Sequence, residues 1–148
     1  MKAVFLLFTN SVHGPLTTQI GLTMLRVVTG LTMAIAWGWG KLPPQEGFVN
    51  MIGEMGFPLP WFFALMAGLS EFLGGLLIAF GALTRVAALF LGVTMGVAFF
   101  GVNGLTAAFD GGGGTFSMLF FSLSVFFILV GGGQYSIDKI LQKRLTRK

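Results

Sequence analysis

Apolar residues fall in four long blocks, and the prolines, the glycine runs and most of the charges collect in the short segments between them. The blocks lie at roughly 19–40, 60–80, 85–103 and 115–132, and each approaches the length of about 20 residues that an α-helix needs to cross a bilayer. The first stops at Lys41-Leu42-Pro43-Pro44, because proline lacks an N–H and pushes the preceding residue out of the helical region. The second follows Pro58-Leu59-Pro60 and ends at Gly81; proline suits a first helical turn and glycine the position just past a last one. The third runs from Arg85 towards Asn103-Gly104. The fourth follows Asp110 and the run Gly111 to Gly114, which reads as a flexible link. The pattern predicts an all-α fold, an integral membrane four-helix bundle forming a single membrane domain over 1–148.

Two further segments have the 3.6-residue period without the length to span. Phe48, Ile52 and Met55, with Met51 beside them, recur between Glu46 and Glu54, which predicts a short amphipathic helix in the first outer link. Ile137, Ile140, Leu141 and Leu145 recur opposite a basic face. Ser136 is placed to cap that helix and Asp138 lies in its first turn, so a basic amphipathic helix on the anionic inner leaflet is expected. Met1 to Thr18 has an apolar run of only six, Ala3 to Phe8, and reads as an interfacial segment without a cleavable signal.

Composition sharpens the class. Of 148 residues, 55% are hydrophobic and 9% charged, and the mean hydropathy is +0.87; soluble domains carry about a quarter charged residues. There is no cysteine, and His13 is the one histidine, so thiol chemistry, iron–sulfur ligation, bis-histidine haem and zinc are not expected within the chain. A nucleic-acid partner is not expected either, and Gly131-Gly132-Gly133 closes a helix, so it does not read as a nucleotide loop. The net charge of +4 is unevenly placed: Lys139, Lys143, Arg144, Arg147 and Lys148 crowd the tail against Asp138 alone and Arg85 marks the second link, whereas the other two links hold Lys41 with Glu46 and Glu54, and Asp110. The positive-inside rule then predicts both termini in the cytoplasm of a bacterial inner membrane.

Two charges fall inside the apolar blocks, Arg26 and Glu71. Each costs about 2.5 to 3.5 kcal/mol at a helix centre, so neither should face lipid. Arg26, Gly30, Ala34 and Gly38 form one ridge spaced by four, and Ala67, Glu71, Gly75 and Ala79 another; small residues in such ridges mark close helix contacts. If both helices start at the cytoplasmic surface near residues 20 and 80, Arg26 lies roughly 9 Å deep and Glu71 roughly 13 Å deep. An Arg26–Glu71 ion pair is expected, either pinning the two helices or forming a polar ligand or proton site.

Thr84, Ala88, Gly92 and Gly96 form a third ridge, and Ser117, Ser124 and Gly131 share a face of the fourth helix; both read as packing seams. Met51 and Met55 could offer thioethers to Cu(I), but read more simply as lining of the interfacial helix. Trp37, Trp39 and Trp61 fit headgroup anchors. His13 reads as a surface group.

Five segments taken in order, Arg26-x3-Gly30, Gly38-Trp39-Gly40-Lys41-Leu42, Glu71-x2-Gly74-Gly75-Leu76-Leu77, Gly81-x2-Thr84-Arg85 and Gly131-Gly132-Gly133-Gln134-Tyr135-Ser136-Ile137-Asp138, resemble the DoxX family of small four-helix membrane proteins from about residue 20 to 141. The resemblance implies a redox-associated subunit: members occur in thiosulfate:quinone oxidoreductases and beside sulfurtransferase and superoxide dismutase partners. By the same resemblance Arg26, Lys41, Glu71 and Arg85 occupy the family's charged positions, and Tyr135 and Asp138 its terminal motif. Many members carry a histidine followed by glycine near the end of the third helix, where this chain has Val102-Asn103-Gly104.

The expected function is an inner-membrane subunit or anchor of a redox system, with Arg26 and Glu71 offering a polar pocket to a quinone head group among apolar walls. Its partners would be membrane lipids, a redox protein and, in some readings, a second copy of the chain. Two other readings stand beside it: a non-enzymatic scaffold that binds a partner, and a small-molecule transporter acting as an oligomer.

Overall fold

The computed structural model describes residues 14–109 and 111–146, with side chains as far as Arg144. The expectations for Met1 to His13, Asp110, Arg147 and Lys148 and for the Leu145 side chain lie outside the described residues. Within them the fold is all-α, and four helices are long and apolar enough to cross a membrane.

Helix α1, Leu16–Leu31, continues through a π-helical stretch, Thr32–Gly38, and a 3-10 turn, Trp39–Lys41. Helix α2, Glu46–Glu54, lies in the first link. Helix α3 spans Pro60–Phe80 with its proline at the first position, where the missing N–H costs nothing. Helix α4, Thr84–Gly96, runs on through a second π-helical stretch, Val97–Asn103. A 3-10 segment, Leu105–Phe109, precedes helix α5, Gly113–Val130, and helix α6, Ile137–Thr146, closes the chain.

The Gly111 to Gly114 run is only half a link. Gly113 and Gly114 belong to α5, and Gly114 lies so close to Ala107 that a Cβ there would meet its side chain at 2.5 Å. Packing against the 3-10 segment outweighs the intrinsic flexibility of the glycines.

The core lies between α1, α3, α4 and α5 and contains Met33, Ile78, Ala88, Leu91, Met95, Phe120 and Phe127. On the α1–α3 seam the small ridges meet as expected: a Cβ on Gly30 would lie 2.9 Å from the Ala79 Cα, and one on Gly75 would lie 2.7 Å from the Gly30 carbonyl oxygen. The third ridge packs on α5, where Gly92 faces Ser124 and Gly96 faces Phe121. Ser117 and Ser124 return their hydroxyls to the carbonyls of Gly113 and Phe120, one turn back, which hides the polar groups within the helix. Leu25, Val28, Ile35, Phe90, Val93, Leu119 and Leu129 are exposed on the outer faces, as lipid contact requires.

Helix α2 turns Ile52 inward, with Phe48 and Met51 half-buried. Trp37, Trp39 and Trp61 are exposed at the same end of the bundle. At the opposite end Ser136 caps α6 as expected: its Oγ accepts the Lys139 N–H at 3.2 Å.

Candidate functional site

The two charges inside the spans do not meet. Gly38 packs against the backbone of Glu71 and Phe72, while Gly30 packs against Gly75 and Ala79. This antiparallel register sets Glu71 level with Gly38, and Arg26 lies twelve residues further along α1, about 18 Å away at 1.5 Å per residue. The expected Arg26–Glu71 ion pair is therefore replaced by two separate arrangements at opposite ends of the α1–α3 seam. Assuming that both helices start at equal depth misplaced the register by about two turns.

Arg26 belongs to a clasp that ties the C-terminal segment to the bundle. It is 2% exposed. Its Nη1 donates to the Gly132 carbonyl and its Nη2 to the Tyr135 carbonyl, each at 2.9 Å. Helix α3 ends here in a left-handed glycine: Gly81 has φ 71°, its N–H bonds the Ile78 carbonyl, and the Ala82 N–H bonds the Leu77 carbonyl. A side chain at Gly81 would also run into the Arg26 guanidinium, so conformation and space both demand glycine.

Asp138 has a larger role than first-turn acid of α6. It is 1% exposed and caps α4 from across the chain. One carboxylate oxygen accepts the Leu83 N–H at 2.7 Å, and the other accepts the Thr84 N–H and hydroxyl, both at 2.9 Å. Leu83 has φ 48°, a left-handed conformation that costs a branched side chain about 1 to 2 kcal/mol; the carboxylate holds it there. The Asp138 N–H completes the clasp by donating to the Gly81 carbonyl at 2.9 Å. Tyr135 supplies its carbonyl, while its side chain is exposed. Arg85 donates to the Leu129 carbonyl at 3.0 Å.

Sequence reasoning passed over Gln19. It is 2% exposed and its Oε1 accepts the Gln134 N–H at 3.0 Å. An amide at the edge of an apolar block was the available signal.

Glu71 is paired with Lys41. The Lys41 Nζ donates to Glu71 Oε1 at 2.6 Å and stands 5.2 Å from the centroid of the Phe48 ring on α2. The other carboxylate oxygen, Oε2, is buried and has no hydrogen-bond partner among the described residues. Lys41 thus takes the place beside Glu71 that was expected of Arg26.

Lys41 and Glu71 line a cavity of about 720 Å³ bounded by α2, α3 and α4. Its walls are almost entirely apolar, with Phe48, Ile52, Phe63, Met66, Leu77, Ala87 and Val97 among them. Three further polar side chains lie in the lining: Ser70 and Thr94, whose hydroxyls are 2.6 Å apart, and Asn103. Asn103 Nδ2 donates to the Ala98 carbonyl at 2.8 Å, reinforcing the π-helical end of α4. Asn103 occupies the place where the family resemblance puts a histidine, so the departure from the pattern faces the same cavity.

Four helices long and apolar enough to cross a bilayer, with an apolar cavity on the bundle and the buried Glu71 carboxylate in its lining, define a small multi-pass membrane protein. Residues 21–104 match the DoxX family, and the chain belongs to that family. It is 34% identical over 133 residues to "Inner membrane protein YqjF" of Escherichia coli (strain K12), covering 85% of this chain and 95% of that protein. It is 31% identical over 125 residues to "Putative oxidoreductase CatD" of Bacillus subtilis (strain 168), covering 84% and 90%. No solved structure matches the chain. The family match includes Arg26, Lys41, Glu71 and Arg85 and stops before the clasp residues Tyr135 and Asp138.

Proposed function

We propose that the chain is a bacterial inner-membrane subunit of a redox system, and that the cavity beside Lys41 and Glu71 receives the head group of a quinone-type redox lipid. The observation that carries this reading is the buried Glu71 carboxylate, with one oxygen held by Lys41 and the other without a partner among the described residues, on the wall of an apolar cavity. Ligand sites of this kind combine apolar walls with a few convergent polar groups. The relative named as an oxidoreductase agrees with it.

The residues fit the group. Lys41 can donate to a ring carbonyl oxygen, and Glu71 orients the ammonium and can accept a proton from a ring hydroxyl. When bound, a quinone supplies the capacity to carry two electrons and two protons. Phe48 and Ile52 on α2 line the cavity, with the Phe48 ring 5.2 Å from the Lys41 ammonium. The protein partner would supply or take the electrons, since the chain has no cysteine and a single histidine. The tail and the α3–α4 link meet in the clasp at one end of the bundle, and their basic residues support a cytoplasmic position for that end.

The test is purification in mild detergent followed by extraction and chromatography of bound quinone, for the native chain and for Lys41→Met. Quinone retained by the native protein and lost from the variant is the expected result. Absence of quinone from both, with a protein partner co-purified, would favour the scaffold reading instead.

A further inference from the structure

Helix α6 turns an apolar strip outward, away from the face that joins it to the bundle. A helix advances by about 100° per residue, so Ile137, Ile140, Leu141 and Arg144 fall within one sector of about 100°. All four side chains are exposed. Asp138 lies to one side of that sector and is 1% exposed, held in the clasp. It is also the only acidic residue after Asp110. The charged side chains that α6 exposes are therefore Lys143 and Arg144, with Lys139 half-buried, and all are positive.

The clasp fixes the level at which this strip lies. The Asp138 N–H donates to the Gly81 carbonyl, and its carboxylate accepts from Leu83 and Thr84, so the first turn of α6 is bonded to the residues that separate two spanning helices. The strip thus sits level with the ends of the spans, where hydrocarbon gives way to headgroups. Phe80, Leu83, Leu129 and Tyr135 are exposed at the same end, and tyrosine suits that boundary. A helix with one apolar side and basic flanks lies in the plane of the interface, with its apolar side at the edge of the acyl chains. Arg144, within the strip, can lay its methylene stem along that edge and extend its guanidinium to the phosphates.

We infer that α6 is a docking surface for anionic phospholipid at the clasp end of the bundle. Ile137, Ile140 and Leu141 seat at the boundary between headgroups and acyl chains, and Lys139, Lys143 and Arg144 meet the lipid phosphates. Charge selects this occupant, because a surface of positive sign set at headgroup level complements an anionic leaflet. Contact with lipid on one face of α6 also braces the cap that Asp138 supplies to α4 from the other face.

The chain has no cysteine, so Ile140→Cys in the full-length protein gives a single site for an environment-sensitive bimane label. The labelled protein is placed in nanodiscs of phosphatidylcholine alone or of phosphatidylcholine mixed with phosphatidylglycerol. Both contain the same fraction of a lipid whose nitroxide lies near the top of its acyl chain. Each basic side chain near an anionic surface favours the docked state by about fivefold. Quenching of the label is therefore expected to be about twofold or more stronger, with emission shifted to the blue, in the anionic nanodiscs. Adding Lys139→Gln, Lys143→Gln and Arg144→Gln together should remove that difference. Thermal unfolding in phosphatidylcholine should stay unchanged, since the substituted side chains lie outside the clasp. Equal quenching in the two compositions, or a difference that survives the three substitutions, overturns the inference. An unquenched label in both compositions also overturns it and leaves the strip to a protein partner.

Discussion

The Lys41 ammonium stands 2.6 Å from Glu71 Oε1, joining the last turn of the first spanning helix to the middle of the second. Glu71 is 1% exposed, while the Lys41 side chain retains contact with the cavity and is 29% exposed. Removing the lysine strands a buried carboxylate, which costs about 3 to 5 kcal/mol, whereas removing both partners costs less. Lys41→Met should therefore lower the thermal unfolding temperature in detergent more than the Lys41→Met, Glu71→Leu double substitution. A double-mutant cycle checks this, and additive losses would show that the pair is not coupled.

Asp138 gives a sharper stability test because its two oxygens serve three donors on Leu83 and Thr84. Asp138→Ala should destabilise the protein by about 1 to 2 kcal/mol or more through loss of the α4 cap. Asp138→Asn keeps one acceptor oxygen and should fall between the two. Thermal unfolding of the three proteins in one detergent makes the comparison.

Arg26 should reveal itself through the tail. Its two hydrogen bonds reach the Gly132 and Tyr135 carbonyls, and contacts of a charged donor are worth about 1.5 to 3 kcal/mol each. In Arg26→Ala the C-terminal segment should open, and trypsin should cut at Lys139, Lys143 and Arg144 faster than in the native protein. Quinone retention should change much less than in Lys41→Met, because Arg26 lies outside the cavity lining.

Gly30 and Gly75 test the seam that sets the register. A Cβ at either would meet backbone atoms of the opposing helix well inside contact distance. Overpacking of this kind costs about 1 to 3 kcal/mol. Gly75→Val should lower the unfolding temperature, and because Glu71 lies one turn away it should also weaken quinone retention. Gly47, which has open space around it, should accept alanine with neither effect.

The sequence pattern contained the elements and the faces but not the axial register. Block lengths, prolines and Gly81 mark the spans because each acts through its own backbone, and the spaced-by-four ridges identify which sides touch. Depth is different: the meeting of Gly38 with Glu71 depends on side-chain fit along the whole seam, and no single residue in α1 announces it. Lys41 was legible as a charge at the helix end, yet its fold-back to Glu71 needed the 3-10 turn at Trp39–Lys41. Asp138 was legible as a helix-initiating acid; its capping of a helix more than fifty residues earlier was not, because a cap supplied from another segment leaves no local spacing.

The central claim is that the redox-lipid ring binds beside Lys41 and Glu71. Photolabelling of the full chain in nanodiscs with an azido-substituted tailed quinone, followed by peptide mapping, measures this most directly. The expected result is labelling within α2, α3 and α4, the helices that line the cavity, suppressed by Lys41→Met and preserved in Arg26→Ala. Labelling concentrated on α5 or around the Arg26 clasp, and unchanged by Lys41→Met, would contradict it.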